Sequence, residues 1–154
     1  MTLLRLAHGQ LLPALEEPLH EVLLKDWRAN PHAHADATAL VITNGESIMD
    51  VAADLNGFDI VILDFPAFTD GRAYSQARLL RERLSFSGEI RARGNILRDQ
   101  VFFMVRCGFN AFEFDGQLAS DLALSLNEFS FVYQSAGDER EPIWRKRTAR
   151  AAAA

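Results

Sequence analysis

The chain has 154 residues, 49% hydrophobic and 24% charged, and 16 Lys/Arg against 21 Asp/Glu leave a formal net charge of −5. That balance fits one globular domain able to bury a core without a metal or disulfide staple, and it argues against a nucleic-acid binder, whose footprint is normally basic. Apolar runs such as Val101–Val105 fall far short of a membrane span of about 18 residues, and the single cysteine, Cys107, excludes an internal disulfide, a Cys-x-x-Cys redox pair and a four-thiolate cluster, which suits a reducing cytoplasm.

Residues 1–38 read as an N-terminal extension of irregular or short elements, with Pro13, Pro18, Asn30-Pro31 and the loop His32–Thr38. Glu16, Glu17 and Glu21 interrupt its Leu-rich stretches, unlike a signal peptide. His32 and His34, with Asp36 nearby, lack a recognisably spaced third ligand, so no metal site is expected. From residue 39 to 136 short apolar runs alternate with helical stretches: ALVIT, SIMDVAADL, FDIVILDF, GRAYSQARLLRERL, EIRAR, ILRDQVFFMVRCG, AFEF, QLASDLALSL and FSFVY. This alternation predicts an α/β domain with a mainly parallel sheet of about five strands and flanking helices. The run Ile60–Leu63 is apolar throughout, as in a central strand covered on both faces. Two architectures compete: an open, flavodoxin-like doubly wound sheet, which is preferred, and half of a (β/α) barrel, since a full barrel takes about 250 residues. Residues 137–154 lose apolar periodicity and read as a basic, disordered tail; five Lys/Arg against three Asp/Glu make it +2, with −7 for the rest. Arginine supplies 14 of the 16 basic residues, which reads either as codon composition or as recognition of anions by planar guanidinium forks.

In both architectures ligands sit beyond the carboxyl ends of the strands. Three loops reach that pole: Pro66–Gln76, Gly94–Gln100, and Glu113 with Asp115. Thr69 or Asp70 can cap the helix that follows. Arg72 then stands in a first turn, beside a partially positive helix end, and Arg98 repeats the arrangement. A cation kept there fits an oxyanion held by both helix ends and both guanidiniums, with Arg93, Tyr74, Ser75 and Gln100 as further anion-binding candidates. The alternative pairs Arg72 with Asp70 or Asp64, and Arg98 with Asp99. In EIRAR, Glu89, Arg91 and Arg93 share one face, which suits an edge strand or a barrel-like interior. Asp64, Asp70 and Glu113 are candidate catalytic carboxylates, with Arg93 able to join Asp64 and Glu113 in a cluster. Structural ion pairs give the same pattern. Cys107 reads as an inert core thiol, and Phe102–Val105 is apolar over more than one helical face, which favours self-association into a homodimer.

The stretches FPAFTDGRAYSQARLLRER and GEIRARGNILRDQVFFMVRCGFNAFEF resemble a bacterial family of short proteins with a domain of unknown function. Its members carry the label of an oxidoreductase of sulfite reduction and tend to be encoded beside the haem-containing sulfite/nitrite reductase. The resemblance covers roughly residues 58–114. It implies recurrent polar residues at Thr69, Asp70, Gly71, Arg72, Tyr74, Ser75, Arg78, Arg98, Asp99, Gln100, Arg106 and Gly108, with acidic residues in the family where Asn95 and Asn110 stand here. No dinucleotide fingerprint or phosphate loop accompanies the label, and no cofactor is expected. The expected function is an accessory, anion-binding protein of assimilatory sulfite reduction. Its ligand is sulfite or phosphate, its expected partner the reductase, and its site cytoplasmic. The competing expectations are a small-molecule enzyme using the carboxylates above and a flavin-binding redox protein.

Overall fold

In the computed structural model, which describes residues 2–15, 18–114, 121, 124–126, 129–138 and 140–152, the chain opens with a hairpin. Strands β1 (Thr2–Ala7) and β2 (Gln10–Ala14) pair antiparallel. His8 (φ 51°) and Gly9 (φ 76°) between them are both left-handed, as a two-residue type I′ turn demands. Pro13 lies in β2 at the sheet edge, where its missing N–H costs no ladder bond. Next come β3 (Glu21–Leu23), helix α1 (Leu24–Ala29), a 3₁₀ turn (Pro31–His34) and β4 (Ala39–Ile42). Two further 3₁₀ turns (Ile48–Val51, Leu55–Gly57) lead into β5 (Ile60–Phe65). Helix α2 (Arg72–Glu82), β6 (Glu89–Gly94), a 3₁₀ turn (Arg98–Gln100) running into α3 (Val101–Cys107), β7 (Ala111–Phe114) and α4 (Ile143–Ala152) follow.

All seven strands form one mixed sheet in the order β2-β1-β7-β6-β5-β4-β3. The α/β class holds, but the expected strand count of about five does not. Five strands, β3 to β7, are parallel neighbours, and β1 and β2 add an antiparallel pair beside β7. FSFVY (residues 129–133) is not a strand. The place beside β7 that it would need is taken by β1, with Leu3 opposite Glu113 and Arg5 opposite Ala111. SIMDVAADL forms 3₁₀ turns where a helix is expected, QLASDLALSL lies largely outside the described residues, and the tail carries α4.

The parallel strands run in unbroken sequence order, so the preferred flavodoxin-like topology, which reverses at a switch point, is not the one adopted. Consecutive barrel strands follow this order. Right-handed crossovers that all step the same way place their helices on one face of the sheet. That face buries Leu40, Ile42, Val61, Leu63, Phe65, Ile90, Phe112 and Phe114 against Leu24 of α1, Ala73, Ala77 and Leu80 of α2, and Val101 and Met104 of α3. The opposite face holds a smaller cluster, Ala39, Val41, Ile60 and Ile62, with Leu19 and Leu23 packed on it.

On that second face Arg93 of β6 reaches Glu21 of β3, Nη1 to Oε2 at 2.9 Å. Glu21 is in register with Ala39, Ile60 and Glu89. In a flat sheet the two Cα atoms would therefore lie about 19 Å apart, given strand spacings of ~4.8 Å and rises of ~3.3 Å. The two side chains cannot span that, so the sheet twists and coils toward this face.

Gly94 closes β6 at φ 104°, and a Cβ there would meet the Phe65 carbonyl oxygen at 2.4 Å. Gly94→Ala is therefore expected to lose about 1–3 kcal/mol or more of stability, read as a lower urea midpoint at unchanged slope.

Candidate functional site

The carboxyl pole of the parallel strands is built by side chains that tie loops together. Gln76 of α2 donates Nε2 to the Glu46 carbonyl (2.8 Å) and accepts the Ile48 N–H (2.9 Å), which fixes the loop after β4 against α2. Glu46 accepts from both the N–H and the hydroxyl of Thr43 (2.9 and 2.8 Å). Gln100 donates Nε2 to the Phe68 carbonyl (2.7 Å) and accepts the Leu97 N–H (3.0 Å), which joins the loop after β6 to the loop after β5. A groove of about 490 Å³ lies between the β4 loop and α2, with Arg28, Ser47, Asp50, Arg72, Ser75 and Gln76 among its lining residues.

Arg72 is engaged within the chain. Its Nε and Nη2 donate to the Asp70 carboxylate at 3.0 and 2.7 Å, and its N–H donates to Asp70 Oδ1 at 3.2 Å. Asp70 thus satisfies both the first-turn N–H and the guanidinium that were expected to recruit an outside anion. Hydrogen bonds from Arg72 hold its carboxyl well below the usual carboxylate range. Arg28 is similarly matched to Asp50 at 2.9 Å. Arg98 Nε donates to the Asp121 carbonyl (2.9 Å), and Arg98 does not line the groove that Arg72 shares with Ser75. Tyr74 faces the core: its ring meets Phe65 and Phe109 edge-on at 5.6 and 6.3 Å, and burial pushes its hydroxyl up to about 12. Cys107 at the end of α3 is partly buried, and that burial raises its thiol.

The charged residues of β6 lie on the second face of a central strand. The edge-strand reading of Glu89, Arg91 and Arg93 does not hold, because β6 lies between β7 and β5. They form two groups. Arg93 holds Asp64 (2.9 Å) and Glu21, and burial that pulls its guanidinium down is outweighed by the two carboxylates. Arg91 donates Nη1 to Glu113 Oε1 (2.8 Å) and Nε to Glu89 Oε1 (2.7 Å), while Arg5 of β1 takes the other Glu89 oxygen at 2.7 Å. The two central side chains are 5% and 4% exposed. Glu113 pairs with Arg91, and the expected cluster of Asp64, Glu113 and Arg93 is divided accordingly. Glu113 Oε2 is buried without a hydrogen-bond partner among the described residues; Asp115 lies outside them. A carboxylate gripped by arginine is stabilised as the anion and is a weak base near neutrality, which limits Asp70 as an acid–base group.

Several contributors are silent in sequence reading. Arg5 and Glu21 come from the extension and are placed by pairings more than 70 residues long. Asn110 accepts the Ile90 N–H through its side-chain oxygen at 2.7 Å, a role that asks only for an oxygen. His20 meets Asp36 at 3.0 Å in place of any His32–His34 pair, and no group of three or more metal-ligating side chains is brought together among the described residues.

The architecture is that of an α/β protein with a singly wound parallel sheet, extended by an N-terminal hairpin and closed on one face by arginine–carboxylate pairs. The family model described as a bacterial protein of unknown function (DUF934) matches residues 39–144, and the chain belongs to that family. Comparison with curated proteins and with solved structures gives no match.

Removing one member of a buried ion pair strands the other, at about 3–5 kcal/mol. Arg91→Met is expected to lose that much, and adding Glu113→Leu to recover a large part of it, in urea unfolding at pH 7. For Asp70 the folded value is depressed, so its stabilising contribution is present above the unfolded value of about 3.9 and lost as pH falls through the folded one. The stability difference between the wild type and Asp70→Asn should therefore shrink below pH 4, and in Arg72→Ala the carboxyl titration followed by NMR should move up toward the ordinary value but stop short of it, because the residue-72 N–H still donates to Oδ1.

Proposed function

We propose that the protein is a cytoplasmic accessory factor of assimilatory sulfite reduction that docks onto an acidic face of the reductase. The observation that carries this reading is an exposed aromatic surface set among unpaired basic side chains. Phe103 of α3, Phe129, Phe131, Tyr133 and Trp144 of α4 are 53%, 47%, 61%, 82% and 52% exposed. The surface is ordered by its own contacts: Phe102 and Phe129 have ring centroids 4.8 Å apart, and the Ile143 N–H donates to the Val132 carbonyl at 2.8 Å. Lys146 lies over Phe131 at 5.8 Å and Arg145 over Trp144 at 5.2 Å. Arg145, Lys146 and Arg147 make no ion pair with a described carboxylate.

Exposed aromatic clusters of this kind mark interaction sites, and aromatic and arginine side chains dominate the binding energy of protein interfaces. A net-positive tail on an otherwise acidic chain gives the surface a sign, so an acidic partner is favoured in both affinity and encounter rate. The setting is taken from the sequence resemblance, whose implied label of sulfite reduction and encoded neighbour, the reductase, make that enzyme the first partner to try. The anion-binding element of the reading rests on arginine, but not on Arg72, whose fork Asp70 fills.

A second reading, a small-molecule enzyme using Asp64, Asp70 or Glu113, is favoured by one observation, the Oε2 of buried Glu113, which has no hydrogen-bond partner among the described residues. Partner binding against a metabolite screen separates the two.

Titrating purified haem sulfite reductase into the protein by calorimetry at low salt is expected to show binding that weakens at least tenfold in Phe131→Ser/Tyr133→Ser, with far-UV circular dichroism unchanged. Absence of binding, or equal binding by the variant, rejects the docking reading. Sedimentation shows whether a second copy of the chain occupies the same surface.

A further inference from the structure

A second cleft, of about 490 Å³, opens at the other pole, at the amino ends of β6 and β7. Its apolar wall is formed by Leu6, Val105, Phe109 and Leu126, and three charged residues line it: Arg81, Arg140 and Asp138. Asp138 is already matched, to Arg106 at 3.2 Å and to Arg140 at 3.8 Å.

Arg81 has no such match. It comes from the last turn of α2, and its stem lies against Gly108, where a Cβ would meet Arg81 Cγ at 2.4 Å. Nε donates to the Gly108 carbonyl at 3.0 Å, and Nη1 donates to the carbonyls of Phe86 and Gly88. All three acceptors are neutral. Among the described residues no carboxylate pairs with Arg81, and Nη2 makes no hydrogen bond. Burial pulls the guanidinium down from its ordinary value, as expected for a cation withdrawn from water without a counter-charge. Buried or half-buried charges are ordinarily paired. Here the chain fixes the orientation of the fork with backbone oxygens and leaves one nitrogen for a partner from outside.

We infer that this cleft binds a small amphiphilic monoanion, a carboxylate or sulfonate on an apolar body, with the anionic group on Arg81 Nη2 and the body on Leu6, Val105, Phe109 and Leu126. A single charge follows from Arg81 being the one charged residue of the lining that no described carboxylate meets, Arg140 being matched to Asp138. The amphiphile follows from the apolar wall, which a bare oxyanion such as sulfite cannot use. The inference gives the anion-binding element of the proposed function a site and a ligand class. It is tested without any partner protein, so its failure leaves the docking reading standing.

Calorimetric titration of the wild-type chain with octanoate, octanol and octylamine separates charge from apolar bulk. Octanoate is expected to bind one to one and ten- to a hundredfold more tightly than octanol, the range of one charge-assisted hydrogen bond, with octylamine weaker still. Amide shifts in ¹⁵N spectra should concentrate on Gly108, Asn110 and Gly137. Leu6→Glu supplies a carboxylate from the chain itself and is expected to abolish octanoate binding while leaving Arg81 and its carbonyls in place. Should that variant not fold, the ligand comparison and the amide map decide. Equal affinity for octanol and octanoate, no saturable heat with octanoate, amide shifts elsewhere, or undiminished binding by folded Leu6→Glu would each overturn the site.

Discussion

A parallel sheet whose strands advance in one direction has helices for only one of its faces, because right-handed crossovers all turn to the same side. The other face must be closed by something else. Here a small apolar patch from β4 and β5 covers one end, and arginines of β1 and β6 cover the rest by reaching across strands to carboxylates. Those pairs satisfy charges that the winding of the chain would otherwise leave in a half-desolvated trough. Their geometry in turn depends on the coiling that lets Arg93 span three strand spacings to Glu21. Fold and electrostatics are one problem in this sheet.

The same logic separates the arginines by role. Arg72, Arg91 and Arg93 each hold a carboxylate of the chain, so their charge is spent on structure. The cations left to act on something external have either neutral acceptors, as at Arg81, or an aromatic ring, as at Arg145 and Lys146 of α4. Which guanidinium can recognise a ligand is therefore decided less by its place in a helix turn than by whether an acid was supplied within reach.

Much of the architecture was legible in local pattern. The four central parallel strands, α2 and α3 correspond to ALVIT, FDIVILDF, EIRAR, AFEF and the helical stretches between them, because period-2 and period-3.6 burial are properties of contiguous residues. The outermost elements were not legible, and for a physical reason. FSFVY has the alternation of a strand, yet a strand needs a neighbour to pair with, and β1 occupies the flank of β7. The hairpin signal was present in His8-Gly9, but a short leucine-rich run flanked by acids is equally at home in a helix. At the site, the period-2 argument put Glu89, Arg91 and Arg93 on one face and was right. Choosing which acid each would hold needs the coil of the sheet, which no window of sequence contains. For Arg72 the nearest acid, two residues away, was sufficient, and the pairing with Asp70 was among the alternatives the sequence offered.

The antiparallel seam between β1 and β7 has a consequence for how the chain comes to be folded. Thr2 meets Phe114 and Leu3 meets Glu113, so β1 must wait for more than a hundred later residues to be made before the edge it pairs with exists. Each parallel neighbour from β4 to β7, by contrast, follows its predecessor by a few tens of residues. Contacts so distant in sequence are slow to form, and during that wait the leucine-rich hairpin and the open flank of β7 are both unpaired edges, the kind of surface on which nascent chains associate. Chain closure, and with it the last arginine pair contributed by Arg5, is a late event in the life of this protein, and its yield sets how much of the sheet is ever completed.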